Sequence, residues 1–84
     1  MLLILRLIQT VATVMATLRR QFGKRLREIR LGRGLSQEDL AEILDCSVDF
    51  VSMVERGISA PSFETLEQMS RKLKIPVHAF FAFD

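Results

Sequence analysis

The sequence predicts an all-α fold: a compact domain of five short helices, preceded by an extra apolar segment. Three observations predict it. Good helix formers are abundant, while 84 residues hold only four glycines and two prolines. Apolar residues recur at helical rather than alternating spacing. Three serines, Ser36, Ser47 and Ser62, stand just ahead of such stripes, where an N-cap belongs. The length fits one domain. A hydrophobic share of 49% is enough for one core, although a chain this short buries it only marginally.

Residues 1–20 form an apolar N-terminal extension, and residues 21–84 form the domain. The run MLLILRLIQTVATVMATL resembles a membrane anchor or a signal peptide at first sight. It is at the short edge of a spanning length, and it contains Arg6, Gln9 and three threonines. Its charge lies inside the run and the pair Arg19-Arg20 follows, the reverse of a signal peptide. The expectation is therefore a partner-buried helix, or a strand over residues 2–8 followed by a helix, with no membrane partner. Residues 21–33 read as a helix. Phe22, Leu26 and Ile29 share one face, Gly23 weakens the first turn, and Gly32 and Gly34 are stop signals. No capping residue separates Leu18 from Phe22, so the two helices can run together.

The stretch SQEDLAEILDCSVDFVSMVERG, residues 36–57, organises the rest. Ser36 caps the first of two short helices, and Asp39 supplies a weaker form of the capping box. Leu40, Ala41 and Leu44 make its apolar face. Asp45 and Cys46 interrupt the pattern, and aspartate is among the few residues that tolerate a left-handed turn. Ser47 caps the second helix, with Phe50, Val51 and Val54 on its inner face and Gly57 as its stop. Small Ala41 lets two helices cross closely at a steep angle. Alanine, a turn four residues on, then valines at the sixth and ninth positions past it is helix-turn-helix spacing.

Ile58, Ser59, Ala60 and Pro61 form a loop. Ser62 caps a fourth helix with Phe63, Leu66, Met69 and Leu73 inside. Pro76 opens a last short helix at N1 or just before it. That helix carries Phe80, Phe81 and Phe83, more aromatic surface than one small core hides, so part of it belongs to a subunit interface.

Net charge is only +2, but Arg19, Arg20, Lys24, Arg25, Arg27, Arg30 and Arg33 face a single acid, Glu28, in one segment. Such a run is either a solvated face or a phosphate-binding strip. One cysteine, Cys46, excludes an internal disulfide and a cysteine-based metal site, and fits a reduced, cytoplasmic setting. His78 has no companion ligand. There is no phosphate loop, no metalloprotease motif and no nucleophile elbow, so neither enzyme activity nor a cofactor or small-molecule substrate is expected.

Taken in order, FGKRLREIR, LSQEDLA, DCS, VSMVERG, PSFETLEQM and KLKIPVHAFF resemble the Cro/repressor-type (XRE) helix-turn-helix regulators over residues 21–83. The small controller proteins of restriction–modification systems are close in style. Phage repressors and antitoxins share the pattern. The resemblance implies a homodimer on double-stranded DNA, with the helix over residues 47–56 in the major groove. Its outward positions are Val48, Asp49, Ser52 and Met53, with Ser47 at its start. Val48 can only touch a thymine methyl, Asp49 can accept from cytosine, and Met53 is apolar. Direct readout is therefore thin, and DNA shape or arginine arms make up the difference. Gln37 is placed to contact phosphate and to brace the recognition helix. Arg56, Arg33, Arg25 and Lys24 are expected at phosphates. The rival is a protein-interaction module that kept the fold. Arg30 follows Ile29 and Glu55 follows Val54 next to the core. A carboxylate there needs a partner, and the resemblance implies that these two residues are paired.

Overall fold

The computed structural model describes the backbone of residues 2–83, and side chains over that span except at 9–16. All regular structure among them is helical: α1 (Leu2–Gly32), α2 (Gln37–Leu44), α3 (Val48–Glu55), α4 (Phe63–Leu73) and a terminal 3₁₀ helix (Val77–Phe81).

Helix α1 runs unbroken through the expected junction near residue 20. The strand alternative for residues 2–8 does not form. No other strand is present in the described chain to pair with it, and extending an existing helix adds one hydrogen bond per residue fixed. At 1.5 Å per residue a helix of this length measures about 46 Å, and the molecule's long dimension is 48 Å. The radius of gyration is 14.5 Å, against about 12 Å for a globule of this size. The excess reflects the N-terminal half of α1, which projects from the domain with Leu2, Leu3, Ile4, Leu5, Leu7 and Ile8 exposed.

The core begins at Phe22. Phe22 and Leu26 of α1 meet Leu40, Ala41 and Leu44 of α2, Val51 and Val54 of α3, and Leu66, Met69 and Leu73 of α4, with Phe80 fully buried among them. Ile29, Phe50, Cys46, Ile75 and Phe83 pack around its edge. Of the three C-terminal phenylalanines, Phe80 is the plug; its ring stacks 6.1 Å from Phe22, and Phe81 lies 5.3 Å from the same ring on the outside. The segment that carries them is a 3₁₀ helix, not an α-helix, with Pro76 as its N-cap. Phe63 corrects the expected inner face of α4. It is 85% exposed, because it is the first residue of the helix and projects past the core beside an open groove.

Local chemistry closes each helix. Ser36 and Asp39 form the reciprocal capping box: the Ser36 hydroxyl accepts from the Asp39 N–H at 3.0 Å, and the Ser36 N–H donates to the Asp39 carboxylate at 2.9 Å. The Ser36 N–H first, and the Ser36 side chain second, hold the Asp39 carboxyl below the usual carboxylate range. Asp45 takes the left-handed conformation at φ 55°. Beyond it, Cys46 N–H donates to the Ala41 carbonyl at 3.0 Å, the overwound ending that glycine usually makes. Lys74 closes α4 in the same way at φ 55°. Burial and the neighbouring Asp45 push the Cys46 thiol pKa up, so it stays protonated as a packing group.

Gly23 is not the weakness it resembles. A Cβ there would stand 2.2 Å from the Val54 carbonyl oxygen and 2.7 Å from that of Glu55. The bare glycine is what lets α3 seat its last turn against α1.

Candidate nucleic-acid interface

Three chain segments meet at the C-terminal end of α3. Arg30 reaches across from α1, and its Nε and Nη2 donate to the two carboxylate oxygens of Glu55 at 2.7 and 3.0 Å. Its Nη1 donates to the Leu35 carbonyl at 2.9 Å. The Gln37 amide, in the first turn of α2, donates to Glu55 Oε1 at 3.2 Å. The Arg30 and Glu55 side chains are 9% and 3% exposed. This is the expected ion pair, in the two-pronged geometry that suits guanidinium and carboxylate. The bond to Glu55 raises the Arg30 pKa, against the opposing effect of burial. No buried side-chain nitrogen or oxygen among the described residues is left without a partner.

The network fixes α3 against α1 and the start of α2. It leaves the other side of α3 uncovered. Val48 and Asp49 are exposed, Ser52 and Met53 are half-exposed, and Arg56 is exposed with its Nε 3.4 Å from the Ser52 carbonyl. The Ser47 hydroxyl accepts from the Phe50 N–H at 3.0 Å, so it caps the helix and retains its own proton to donate. The surface is therefore apolar at Val48 and Met53, acidic at Asp49, and basic only at its end. Glu38 and Asp39 occupy the first turn of α2 beside Gln37. Arg33 is exposed just past the end of α1, three residues from Arg30.

Lys24 and Arg25 are not part of this assembly. They line a small cleft of about 130 Å³ with Glu28, Ala82 and Phe83. Arg25 Nε donates to the Ala79 carbonyl at 2.9 Å, and Nη1 lies 3.6 Å from Glu28. The helical period explains the separation. Arg20, Arg27 and Arg30 fall within about 60° of Gly23, the residue on which α3 rests, whereas Arg25 is about 160° away. Arg19, Arg20 and Arg27 are exposed and fall within about 60° of Gly23; they belong to the basic run but not to the expected phosphate contacts. Arg20 lies directly against Gly57, past the end of α3. The run of basic residues was visible; which of them flank α3 follows only once Gly23 gives the direction of contact.

Residues 26–80 match the family model described as Helix-turn-helix (HTH_3). The chain belongs to the helix-turn-helix family. This helix-turn-helix protein is 44% identical over 55 residues to the HTH-type transcriptional regulator DdrOP3 of Deinococcus deserti, covering 66% of this chain and 43% of that one. It is 36% identical over 55 residues to the control protein C.BamHI of Bacillus amyloliquefaciens, covering 64% of this chain and 68% of that one. Among solved structures it is similar to the restriction-modification controller protein C.AhdI of Aeromonas hydrophila. The TM-score is 0.71 at 36% identity, over 75% of this chain and 96% of that one. The chain spans less than half the length of DdrOP3. The likeness to the family lies in the domain, not in the projecting part of α1: the family match begins at Leu26. Among the described residues no helix is long and apolar enough to cross a membrane, and no cluster of side chains could hold a metal ion.

Proposed function

We propose that the chain is a sequence-specific DNA-binding transcriptional regulator, not an enzyme, that acts in the cytoplasm as a homodimer. The observation that carries this reading is the way α3 is held. Its inner side is locked by Val51, Val54 and the Arg30–Glu55–Gln37 network, while Val48, Asp49, Ser52 and Met53 form an open row. A helix presented in this way can enter a major groove.

In this reading Ser52 hydrogen-bonds a base edge, Val48 meets a thymine methyl, and Asp49 accepts from a cytosine amino group. Met53 contacts sugar or base surface. Ser47, Gln37, Arg33 and Arg56 position the helix through phosphates, joined by Arg20 and Arg27 on the flank of α1. Lys24 and Arg25 are left out, since Arg25 is engaged at Ala79. Gln37 then has two tasks: its amide donates to Glu55, and as a half-exposed residue in the first turn of α2 it meets a phosphate. The acid at Asp49 keeps non-specific affinity low.

A salt titration on random duplex tests the reading. The logarithm of the binding constant should fall linearly with the logarithm of salt concentration, with a slope of about −0.9 for each phosphate neutralised. A binding constant independent of salt would favour the second reading, a protein-interaction module. That alternative rests on the apolar and acidic character of the α3 face.

A further inference from the structure

Among the described residues the projecting half of α1 contributes nothing to the core, which begins at Phe22. An isolated helix of that length is marginal in water, and its described apolar side chains are in solvent. Ile4 is 61% exposed, Ile8 59% and Leu18 45%. Counting 100° per residue, Ile4 and Phe22 lie in line on the helix, and Ile8 and Leu18 fall about 40° to either side. The stripe that faces the domain core therefore continues down the projecting half. At its inner end the surface opens into a groove of about 280 Å³, lined by Leu18, Phe22, Phe63, Leu66 and Phe81 with Arg19 at its side.

The stripe is its own complement when reversed. Positions 4 and 22, and positions 8 and 18, are each placed symmetrically about position 13. We propose that α1 pairs antiparallel with α1 of a second copy, about a two-fold axis at position 13. Ile8 of one copy then meets Leu18 of the other, and Ile4, at the tip of each α1, enters the other's groove, whose floor includes the buried Phe22. This rests on the homodimer reading above and specifies its interface.

Arg6 and Arg20 fall on the side of the helix opposite to Ile4. Arg19, about 60° from Ile4, lines the groove and stands at the edge of the seam, where a long basic side chain can keep its head in water. One feature of the pairing favours a second copy as the occupant: it presents α3 suitably. Gly23, where α3 crosses α1, lies about 100° from the seam, and a two-fold axis normal to the pair keeps both α3 helices on one side. The two crossing points are then about 30 Å apart along the pair, close to the roughly 34 Å between successive major grooves.

Single-cysteine variants of the full chain test the register. In a Cys46→Ala background, Ile8→Cys mixed with Leu18→Cys should form an interchain disulfide under mild oxidation. Neither variant alone should, because positions 8 and 8 of the two copies lie about 15 Å apart along the pair. Ile8→Glu alters an exposed residue of the monomer, so helical content should hold while the dimer dissociation constant rises by about tenfold or more. A link between like positions, an unchanged dissociation constant in Ile8→Glu, or a monomer that floats with phosphatidylglycerol vesicles would overturn the proposal. The two readings fail separately. A linked dimer without DNA affinity removes the regulator reading and leaves the pairing; a DNA-binding dimer without the 8–18 link removes the pairing alone.

Discussion

Replacing Gly23 with alanine separates what the sequence suggests from what the fold requires. On helix propensity alone, alanine inside α1 should stabilise by about 1 kcal/mol. In the structure the added Cβ would stand 2.2 Å from the Val54 carbonyl oxygen, 2.7 Å from the Glu55 oxygen and 2.9 Å from the Glu55 carbonyl carbon. A carbon and a carbonyl oxygen do not ordinarily approach closer than about 3.3 Å, so α3 must retreat by about 1 Å. The obstacle is backbone, which cannot rotate away as a long side chain can. Retreat also loosens Val51 and Val54 against Phe22 and Leu26, and it stretches the 2.7 Å bond between Arg30 and Glu55. Overpacking of this kind costs about 1–3 kcal/mol and occasionally more. With a displaced helix and a strained ion pair, about 3 kcal/mol net is expected. In a domain of this size that lowers Tm by on the order of 10–20 °C. Thermal melts followed by circular dichroism measure it, with Gly32→Ala as the control. Gly32 is helical, and a Cβ there has nothing within 4 Å, so that variant should match or slightly exceed the parent. A Gly23→Ala protein as stable as Gly32→Ala would refute the close seating of α3 on α1.

Three further outcomes are expected. Arg30→Ala leaves Glu55 buried and charged, which should cost about 3–5 kcal/mol, while Arg33→Ala at an exposed site should cost less than about 0.5; equal urea midpoints would place the pair at the surface. Lys74→Gly relieves a left-handed side chain at φ 55° and should stabilise by about 1 kcal/mol, so an unchanged or lower Tm would count against a left-handed cap at that position. The Asp39 carboxyl sits below its ordinary value because it accepts from the Ser36 N–H. Its contribution is therefore present above the unfolded value, near pH 4, and is lost as pH falls through the lower folded value. Asp39→Ala should flatten the acid limb of the stability curve below about pH 4 and nowhere else, as a pH series of denaturant midpoints would reveal.

The parts of the fold that were legible in the sequence are those that local chemistry decides. Ser36, Ser47 and Ser62 cap the helices they precede, and Asp45 takes the left-handed turn. The valines at the sixth and ninth positions past that turn are both buried. The Arg30–Glu55 pair was legible because a charge next to a core stripe has few other places to go. What the sequence hid depends on contacts between distant segments. Gly23 read as a poor helix residue because its partner, the end of α3, is more than 30 residues away in the chain. Phe63 fits the apolar spacing of α4, yet nothing in that spacing indicates that the first turn overhangs the core. The left-handed Lys74 carries no local signal at all. Lys24 and Arg25 looked equivalent to the other cations, since a run of charges does not reveal which side of the helix meets α3.

The most direct measurement is selection of bound sequences from a random duplex pool, with the parent protein and Ser52→Ala run in parallel. If α3 reads the major groove, the parent should enrich a two-fold-symmetric site whose half-sites lie about 10 base pairs apart, or a multiple of that. Ser52→Ala should alter the preferred base at one position in each half-site and leave the spacing intact. No enrichment by the parent, or identical base preferences for both proteins, would contradict the placement of α3 in the groove.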